Sequence, residues 1–182
     1  MSANIPDDIP SLLPDAELLY RGLLGQLKSA LLVEPKIQIA GLASGGVWLA
    51  KRLASDLGLE HFGVINVSFH RDDYQDKGVR EIQRAEFMST SLPYDVEGAT
   101  IVLVDDVLDT GRTVRAALNE LFDYGRPKKV DLAVLADRYR RELPVDATFK
   151  GAKVELGSHQ ILVLEQLPDG RFEFNTESKK SN

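Results

Sequence analysis

The sequence predicts an α/β fold, an open and mainly parallel twisted sheet flanked by helices, and two observations lead to it. Short apolar segments rich in β-branched residues alternate with helical patterns, as where Ile37–Leu42 precedes a helix with a periodic apolar face. Four such strand–helix alternations follow one another, and no repeat or linker divides the chain. Because strands joined by helices run parallel, their carboxyl ends meet at one edge, where such folds bind ligands.

The composition limits the class of protein. With 182 residues, of which 43% are hydrophobic and 27% charged, the chain is expected to be one globular domain with a substantial core. It has no cysteine, which excludes disulfides and thiolate metal sites. Without a leader pattern or an apolar run long enough to span a membrane, a cytoplasmic protein with no membrane contact is expected. The net charge of −6 argues against general affinity for nucleic-acid backbones.

The N-terminal part predicts where the domain begins. Residues 1–14 are rich in proline and acids and should form an irregular lead-in. Asp15 can cap the first helix, so a single domain is expected over residues 15–175. That helix carries an apolar stripe typical of a core face, formed by Leu19, Leu23, Leu27, Ala30 and Leu31.

Three later segments are expected to lie outside the main sheet. Residues 71–91 are polar and lack an apolar stripe, so they predict a flexible loop. Ile161–Leu167, a Pro-Asp-Gly turn and Arg171–Phe174 predict a β-hairpin. Residues 176–182 are predicted to be a disordered tail.

The stretch Ile101–Thr113 carries the clearest chemical signal. Four apolar residues indicate a buried strand, which ends in Asp105 and Asp106 and is followed by a turn and a helix. The free amides and the dipole at a helix N-terminus favour a phosphate in such a turn. Carboxylates instead suit hydroxyl groups or a magnesium ion shared with a diphosphate, although an acid pair can also be solvated or cap a helix. The helix is predicted to bury Val114, Ala117, Leu118, Leu121 and Phe122.

A second small-residue loop, Ser44-Gly45-Gly46, follows the strand Ile37–Leu42. Its glycines would let the backbone approach a bound anion closely. The motif is weak evidence alone. Since parallel strands present their loops at one edge, the loop could face the site after Ile101–Val104.

The stretch Ile101–Thr113 resembles the 5-phosphoribosyl 1-pyrophosphate (PRPP) motif of the type I phosphoribosyltransferases: an apolar strand, two acids, a short spacer, Thr-Gly and a further hydroxyl residue. The resemblance implies their parallel sheet with a small hood or hairpin region, and PRPP bound with magnesium as cofactor. It places the ribose hydroxyls at Asp105 and Asp106, the candidate catalytic acids, which could also bind the magnesium. The 5-phosphate falls at Asp109, Thr110, Gly111, Arg112 and Thr113, and the pyrophosphate at Ser44 and Gly45.

From about Ile37 to Gly151 the chain resembles the PyrR group, pyrimidine-operon regulators that are also uracil phosphoribosyltransferases. Characteristic segments are Leu132–Arg138 and Arg141–Pro144. The implied reaction joins uracil to PRPP and gives UMP and pyrophosphate. Related proteins are often dimers or higher oligomers, so a homo-oligomer is expected. The resemblance implies base contacts at Asp137, Arg138, Phe149 and Lys150, and we expect a diphosphate contact at Arg71, a third candidate catalytic residue.

Two departures leave the function open between an enzyme and a regulator. Group members that bind messenger RNA usually carry Thr-Arg-Gly where this chain has Ser44-Gly45-Gly46, and Gly-His where it has Tyr139 and Arg140. The arginines Arg138, Arg140 and Arg141 could still contact RNA, but such a cluster is also typical of a solvated face. The alternatives are a nucleotide-sensing regulator that binds RNA or a protein with little turnover, and a purine phosphoribosyltransferase.

Overall fold

A five-stranded parallel sheet lies at the centre of the computed structural model, which describes residues 13–67 and 89–178. Arg71, the predicted lead-in up to residue 12 and most of the predicted loop at 71–91 lie outside the described residues. The helices are α1 (Ala16–Val33), α2 (Gly45–Leu57) and α3 (Arg112–Asp123). The sheet contains β1 (Ile37–Leu42), β2 (Gly63–Ile65), β3 (Thr100–Leu108), β4 (Lys129–Asp137) and β5 (Phe149–Lys153), and an antiparallel hairpin contains β6 (Gln160–Gln166) and β7 (Phe172–Ser178).

The strand order creates a topological switch point between β1 and β3. The order is β2-β1-β3-β4-β5, and every neighbouring pair is parallel. From β1 the chain runs through α2 to β2 on one side, then returns to β3 on the other side of β1. The loops after β1 and β3 therefore diverge from neighbouring strand ends, and open α/β sheets bind ligands in the crevice between such loops.

Both faces of the sheet are buried, which is why its central strands are almost continuously apolar. Along β3, Val102 and Val104 pack in the cluster that includes α1, α2 and the hairpin, whereas Ile101 and Leu103 pack in the cluster that includes α3. All of these side chains are fully buried. The first charged side chains of β3 are those of Asp105 and Asp106, at the edge with the switch point.

An ion pair joins α1 to α2 and to the hairpin. The Arg52 guanidinium donates to both carboxylate oxygens of Glu17, with Nη1–Oε1 2.6 Å and Nη2–Oε2 2.9 Å. The same carboxylate accepts the backbone N–H of Phe172 at 2.8 Å, and the guanidinium lies over the rings of Tyr20 and Phe172. The hydrogen bond from Arg52 is the main reason that the pKa of Glu17 lies below its ordinary value; burial opposes this shift.

Glu17→Gln is expected to lower the free energy of unfolding near neutral pH by roughly 1 kcal/mol, because it removes the charged partner of Arg52. Since folding depresses the pKa of Glu17, its stabilising effect is present above the ordinary value of 4.5 and is lost as the pH falls through the folded-state value. Urea unfolding near neutral pH and at about pH 3 should show that the difference from the parent shrinks in acid. Glu60→Gln, at a side chain that is 88% exposed, is the control. A difference that grows in acid would contradict this account.

The predicted hairpin is confirmed, but its second strand extends into the segment predicted as a tail. β7 continues to Ser178, so Thr176, Glu177 and Ser178 pair with β6 rather than belonging to the tail. The polar composition of these residues suggested disorder, yet an antiparallel ladder is held by backbone hydrogen bonds and tolerates polar side chains on an exposed face. Residues 179–182 lie outside the described residues.

The helices and the sheet edge add two further differences. Phe122, predicted on the buried stripe of α3, is 48% exposed, whereas Ala116 is buried. β5 was not predicted, because an edge strand lacks a continuous apolar run. Its exposed backbone is bridged by Gln26, whose Nε2 donates to the Lys150 carbonyl at 3.0 Å and whose Oε1 accepts the Lys150 N–H at 3.3 Å. Within the described part of the chain, no helix has the length and apolar character needed to cross a membrane.

Candidate functional site

The loop after β1 and the end of β3 meet at the switch point. α2 begins at Gly45, directly after Ser44, and the peptide bond between Ala43 and Ser44 is cis. A Cβ atom on Gly45 would lie 2.5 Å from Oδ2 of Asp106. Only glycine allows the backbone this close to the carboxylate. The structure thus brings the predicted pyrophosphate loop and the predicted ribose-binding acids to one place.

The two acids differ in their surroundings. Asp105 is buried, with 3% of its surface exposed, and its Oδ1 accepts the backbone N–H of Asp106 at 3.0 Å. Asp106 is half-buried, and its Oδ1 accepts the N–H of Val107 at 3.0 Å. Each carboxylate therefore uses one oxygen to fix the local backbone, and Asp106 presents its Oδ2 towards Gly45.

The turn of Asp109, Thr110 and Gly111 leads from β3 into α3. Gly111 has a φ of 94°, which L side chains rarely adopt, and a Cβ atom there would also clash with Val145. The Thr110 hydroxyl accepts the N–H of Arg112 at 3.3 Å, and Gly111 supplies no side-chain cap. The amides and the positive dipole end of α3 therefore face this turn, where they can hold an anion. Thr113 adds a half-buried hydroxyl in the first helical turn.

The residues that follow β4, from Arg138 to Val145, pack against this turn; we call them segment 138–145. The Thr110 carbonyl accepts the N–H groups of Glu142 and of the next residue, at 2.9 and 3.2 Å. The Arg112 guanidinium donates Nε and Nη2 to Oε2 of Glu142 at 2.9 and 2.7 Å. The turn is therefore held by a part of the chain about thirty residues away in sequence.

Two arginines of segment 138–145 form bidentate ion pairs with candidate site acids. Arg140 donates Nε and Nη2 to Oδ1 and Oδ2 of Asp109 at 2.8 and 2.9 Å. Arg141 donates Nη1 and Nη2 to the two oxygens of the fully buried Asp137 at 2.8 and 2.6 Å. The interpretation of the three arginines as a solvated face is therefore wrong, because these two are paired and Arg138 is only 5% exposed.

Arg138 joins the end of β4 to the hairpin. Its Nη1 donates to the Gln160 carbonyl at 3.0 Å, and its buried Nε has no hydrogen-bond partner among the residues that the structure describes. Burial lowers the pKa of Arg138, the nearby Arg140 charge lowers it further, and Asp109 opposes both. The edge of the site therefore holds a desolvated guanidinium that is tied to the hairpin through the Gln160 carbonyl.

The other residues predicted to hold the base are not all at the edge. Lys150 lies on β5, and its Nζ lies 3.7 Å from an oxygen of Asp137. Phe149 instead pairs with Ala133, four residues before Asp137 on β4, and packs against the core. At about 3.3 Å per residue, this register places Phe149 roughly 13 Å from the strand end. The structure therefore does not bring Phe149 to the candidate site.

A metal ion at this site would need oxygen atoms from a bound ligand in addition to the protein's carboxylates. In residues 13–67 and 89–178, no group of three or more His, Cys, Asp or Glu side chains could hold an ion. Asp105 and Asp106 do offer the hard carboxylate oxygens that magnesium prefers, and magnesium commonly binds through one or two carboxylates together with water and phosphate oxygens. The acid pair therefore fits a magnesium ion that arrives with a diphosphate.

Sequence reasoning missed Arg140 and Glu142 as parts of the site. A signal was present, because acids follow the apolar part of β3 and arginines follow β4, the next strand along the chain. Neighbouring parallel strands end at the same edge, so opposite charges after successive strands can pair across it.

Comparison with known proteins identifies the class. Residues 14–163 match the family model of the phosphoribosyl transferase domain, and the chain therefore belongs to this family. The bifunctional protein PyrR of Ralstonia nicotianae is 49% identical over 170 residues, which cover 91% of this chain and 95% of that protein. The bifunctional protein PyrR of Nitrosococcus oceani is 41% identical over 162 residues, covering 86% and 88%. Both resemblances predicted from the sequence are confirmed, and the chain is a PyrR-like phosphoribosyltransferase.

Solved structures agree with the predicted fold class. The purine phosphoribosyltransferase of Pyrococcus horikoshii is 26% identical, covers 75% of this chain and 84% of its own, and gives a TM-score of 0.54. A hypoxanthine-guanine phosphoribosyltransferase of Bacillus anthracis is 18% identical, with coverage of 81% and 84% and a TM-score of 0.58. The parallel sheet with the separate hairpin is thus the type I phosphoribosyltransferase fold.

Proposed function

We propose that this protein transfers the phosphoribosyl group of PRPP to uracil, giving UMP and pyrophosphate. The observation that carries the proposal is the close approach of Gly45 to Asp106: a Cβ atom on Gly45 would lie 2.5 Å from Oδ2 of Asp106. The turn that follows the strand of Asp106 leads into the N-terminus of α3. An amide-lined loop, two carboxylates and a helix N-terminus at one switch point match the three parts of PRPP. The 49% identity to a bifunctional protein PyrR supports uracil as the acceptor.

In this reaction the C1–O bond to pyrophosphate breaks, a C1–N1 bond to uracil forms, and the N1 proton is released. Positive charge develops on the ribose ring, as in glycoside cleavage. Asp105 and Asp106 would hold the ribose hydroxyls and place negative charge near that ring. Magnesium bound with PRPP would supply charge that stabilises the departing pyrophosphate, and the same two acids are the residues that would hold it.

The remaining groups would bind and orient the substrates. The turn at Asp109, Thr110 and Gly111, together with Arg112, Thr113 and the α3 amides, would surround the 5-phosphate. The amides at Ser44 and Gly45 would receive the pyrophosphate. Backbone groups near Asp137 and Arg138 would offer donors and acceptors to the uracil edge. Arg71 remains our proposed diphosphate contact on the basis of the sequence.

A second function, nucleotide-dependent regulation of pyrimidine genes through RNA, is favoured by one observation: the relatives at 41 to 49% identity are named bifunctional. Against it, Arg140 and Arg141 already form ion pairs with Asp109 and Asp137. Binding RNA through these arginines would require their present pairs to rearrange.

A panel of bases tests the proposal. Uracil, orotate, hypoxanthine, guanine and xanthine are each supplied with PRPP and magnesium, and pyrophosphate release is measured. We expect uracil to exceed the others by at least about a hundredfold in kcat/KM, because a site that hydrogen-bonds one base edge leaves polar groups unpaired with another. Release with a purine alone would assign the enzyme to the purine class. Inactivity with every base, together with UMP-dependent retardation of RNA, would favour the regulator.

A further inference from the structure

The Arg140–Asp109 ion pair lies at the start of the turn before α3. Asp109 is the first residue of that turn, and both of its carboxylate oxygens accept from the Arg140 guanidinium, at 2.8 and 2.9 Å. Its carbonyl also accepts from Nη1 of Arg141 at 3.2 Å. The side chain and the backbone of Asp109 are thus both tied to segment 138–145.

The charge of Asp109 poses a problem for an anion site. A carboxylate beside the turn would repel a phosphate, and at 4 Å the repulsion between unit charges near a protein surface is large enough to change binding about tenfold or more. The side chains of Arg140 and Asp109 are 33% and 32% exposed, so water only partly screens this charge. A guanidinium held by two hydrogen bonds neutralises the carboxylate and fixes its direction at the same time.

We propose that Arg140 is a positioning residue for the phosphoribosyl transfer: it neutralises Asp109 and orients it so that the turn can accept the 5-phosphate. Arg140 acts through Asp109 and does not touch the substrate. This inference rests on the proposed function, because it concerns the same phosphate site. It also gives a reason for the arginine after β4, because the turn after β3, the neighbouring strand, carries an acid.

Calorimetric titration with ribose 5-phosphate tests the charge argument without turnover. Arg140→Gln should weaken binding about tenfold, because Asp109 is left uncompensated. Adding Asp109→Asn should restore binding to within about threefold of Asp109→Asn alone, since the repelling charge is gone. Arg140→Lys keeps the charge but not the fork, so it should lie between the parent and Arg140→Gln. In the transferase assay, Arg140→Gln should raise KM for PRPP while kcat changes little.

Arg171→Gln is the matched control, because it removes a guanidinium paired with an aspartate, Asp169, at 2.7 Å in the hairpin turn. The Arg171→Gln variant should bind ribose 5-phosphate as the parent does. Thermal unfolding should show that Arg140→Gln and Arg140→Lys remain folded. Parent-like binding by Arg140→Gln would overturn the proposal and leave the proposed function standing. If Asp109→Asn fails to restore binding, Arg140 touches the ligand itself and the proposal is also overturned. A parent protein that does not bind ribose 5-phosphate would overturn the phosphate site and this proposal together.

Discussion

Replacing Asp105 and Asp106 together by asparagine is expected to reduce turnover by at least about a thousandfold and to weaken PRPP binding. The change removes the negative charge that would face the ribose ring and any magnesium shared with the diphosphate. Asparagine keeps the shape of each side chain, and its amide oxygen can still accept the backbone N–H groups that Oδ1 of each acid now accepts. The fold should therefore survive while the chemistry is lost. Steady-state kinetics with uracil and PRPP, together with thermal unfolding, measure both effects.

Asp123→Asn is the matched control for the acid pair, because it makes the same chemical change at an exposed residue at the end of α3. It should leave kcat and KM close to the parent values. Unchanged kinetics in the double variant would refute the assignment of the two acids. If the double variant does not fold, the test uses Asp106→Asn alone, because Asp106 is the less buried of the pair. That single change should still lower turnover by at least about a hundredfold.

The sheet and the switch point could be predicted because both depend on local pattern. β1, β3 and β4 are buried on both faces, so each appears in the sequence as a short apolar run. The acids of β3 and the glycines at the start of α2 follow these runs directly, and parallel pairing brings such positions to one edge. In the structure, Gly45 and Asp106 lie close together at that edge.

Pairing between distant side chains could not be predicted in the same way. Acids after β3 and arginines after β4 indicate that opposite charges can pair at this edge, but Arg140 and Asp109 are 31 residues apart and the pattern does not determine which arginine meets which acid. The resemblance places Phe149 at the base, but its position depends on the register of β5 against β4, which the sequence pattern does not fix. The polar residues Thr176, Glu177 and Ser178 joined a strand because β6 offered backbone partners, which composition does not reveal.

Gly45→Ala is expected to lower kcat/KM for PRPP about a hundredfold while leaving the protein folded. The added methyl group would lie 2.5 Å from Oδ2 and 2.7 Å from Cγ of Asp106, so either the loop or the carboxylate must move. The neighbour is a side chain rather than backbone, which lets the fold adjust. The adjustment displaces a group that the reaction needs, and a misplacement of about 1 Å is enough for a loss of this size.

Gly22→Ala separates this local effect from the general effect of replacing a helical glycine. Gly22 lies in α1, and a Cβ atom there would have no heavy atom of residues 13–67 or 89–178 within 4 Å. Its replacement should raise the free energy of unfolding by roughly 0.5 to 1 kcal/mol and leave the kinetics unchanged. If Gly45→Ala keeps parent kinetics, the pyrophosphate loop does not need its approach to Asp106. If instead KM for PRPP rises with little change in kcat, the close approach contributes equally to binding of the substrate and of the transition state. A fall in both kcat and kcat/KM would show that the close approach matters in the transition state, where the pyrophosphate departs and the ribose becomes positive.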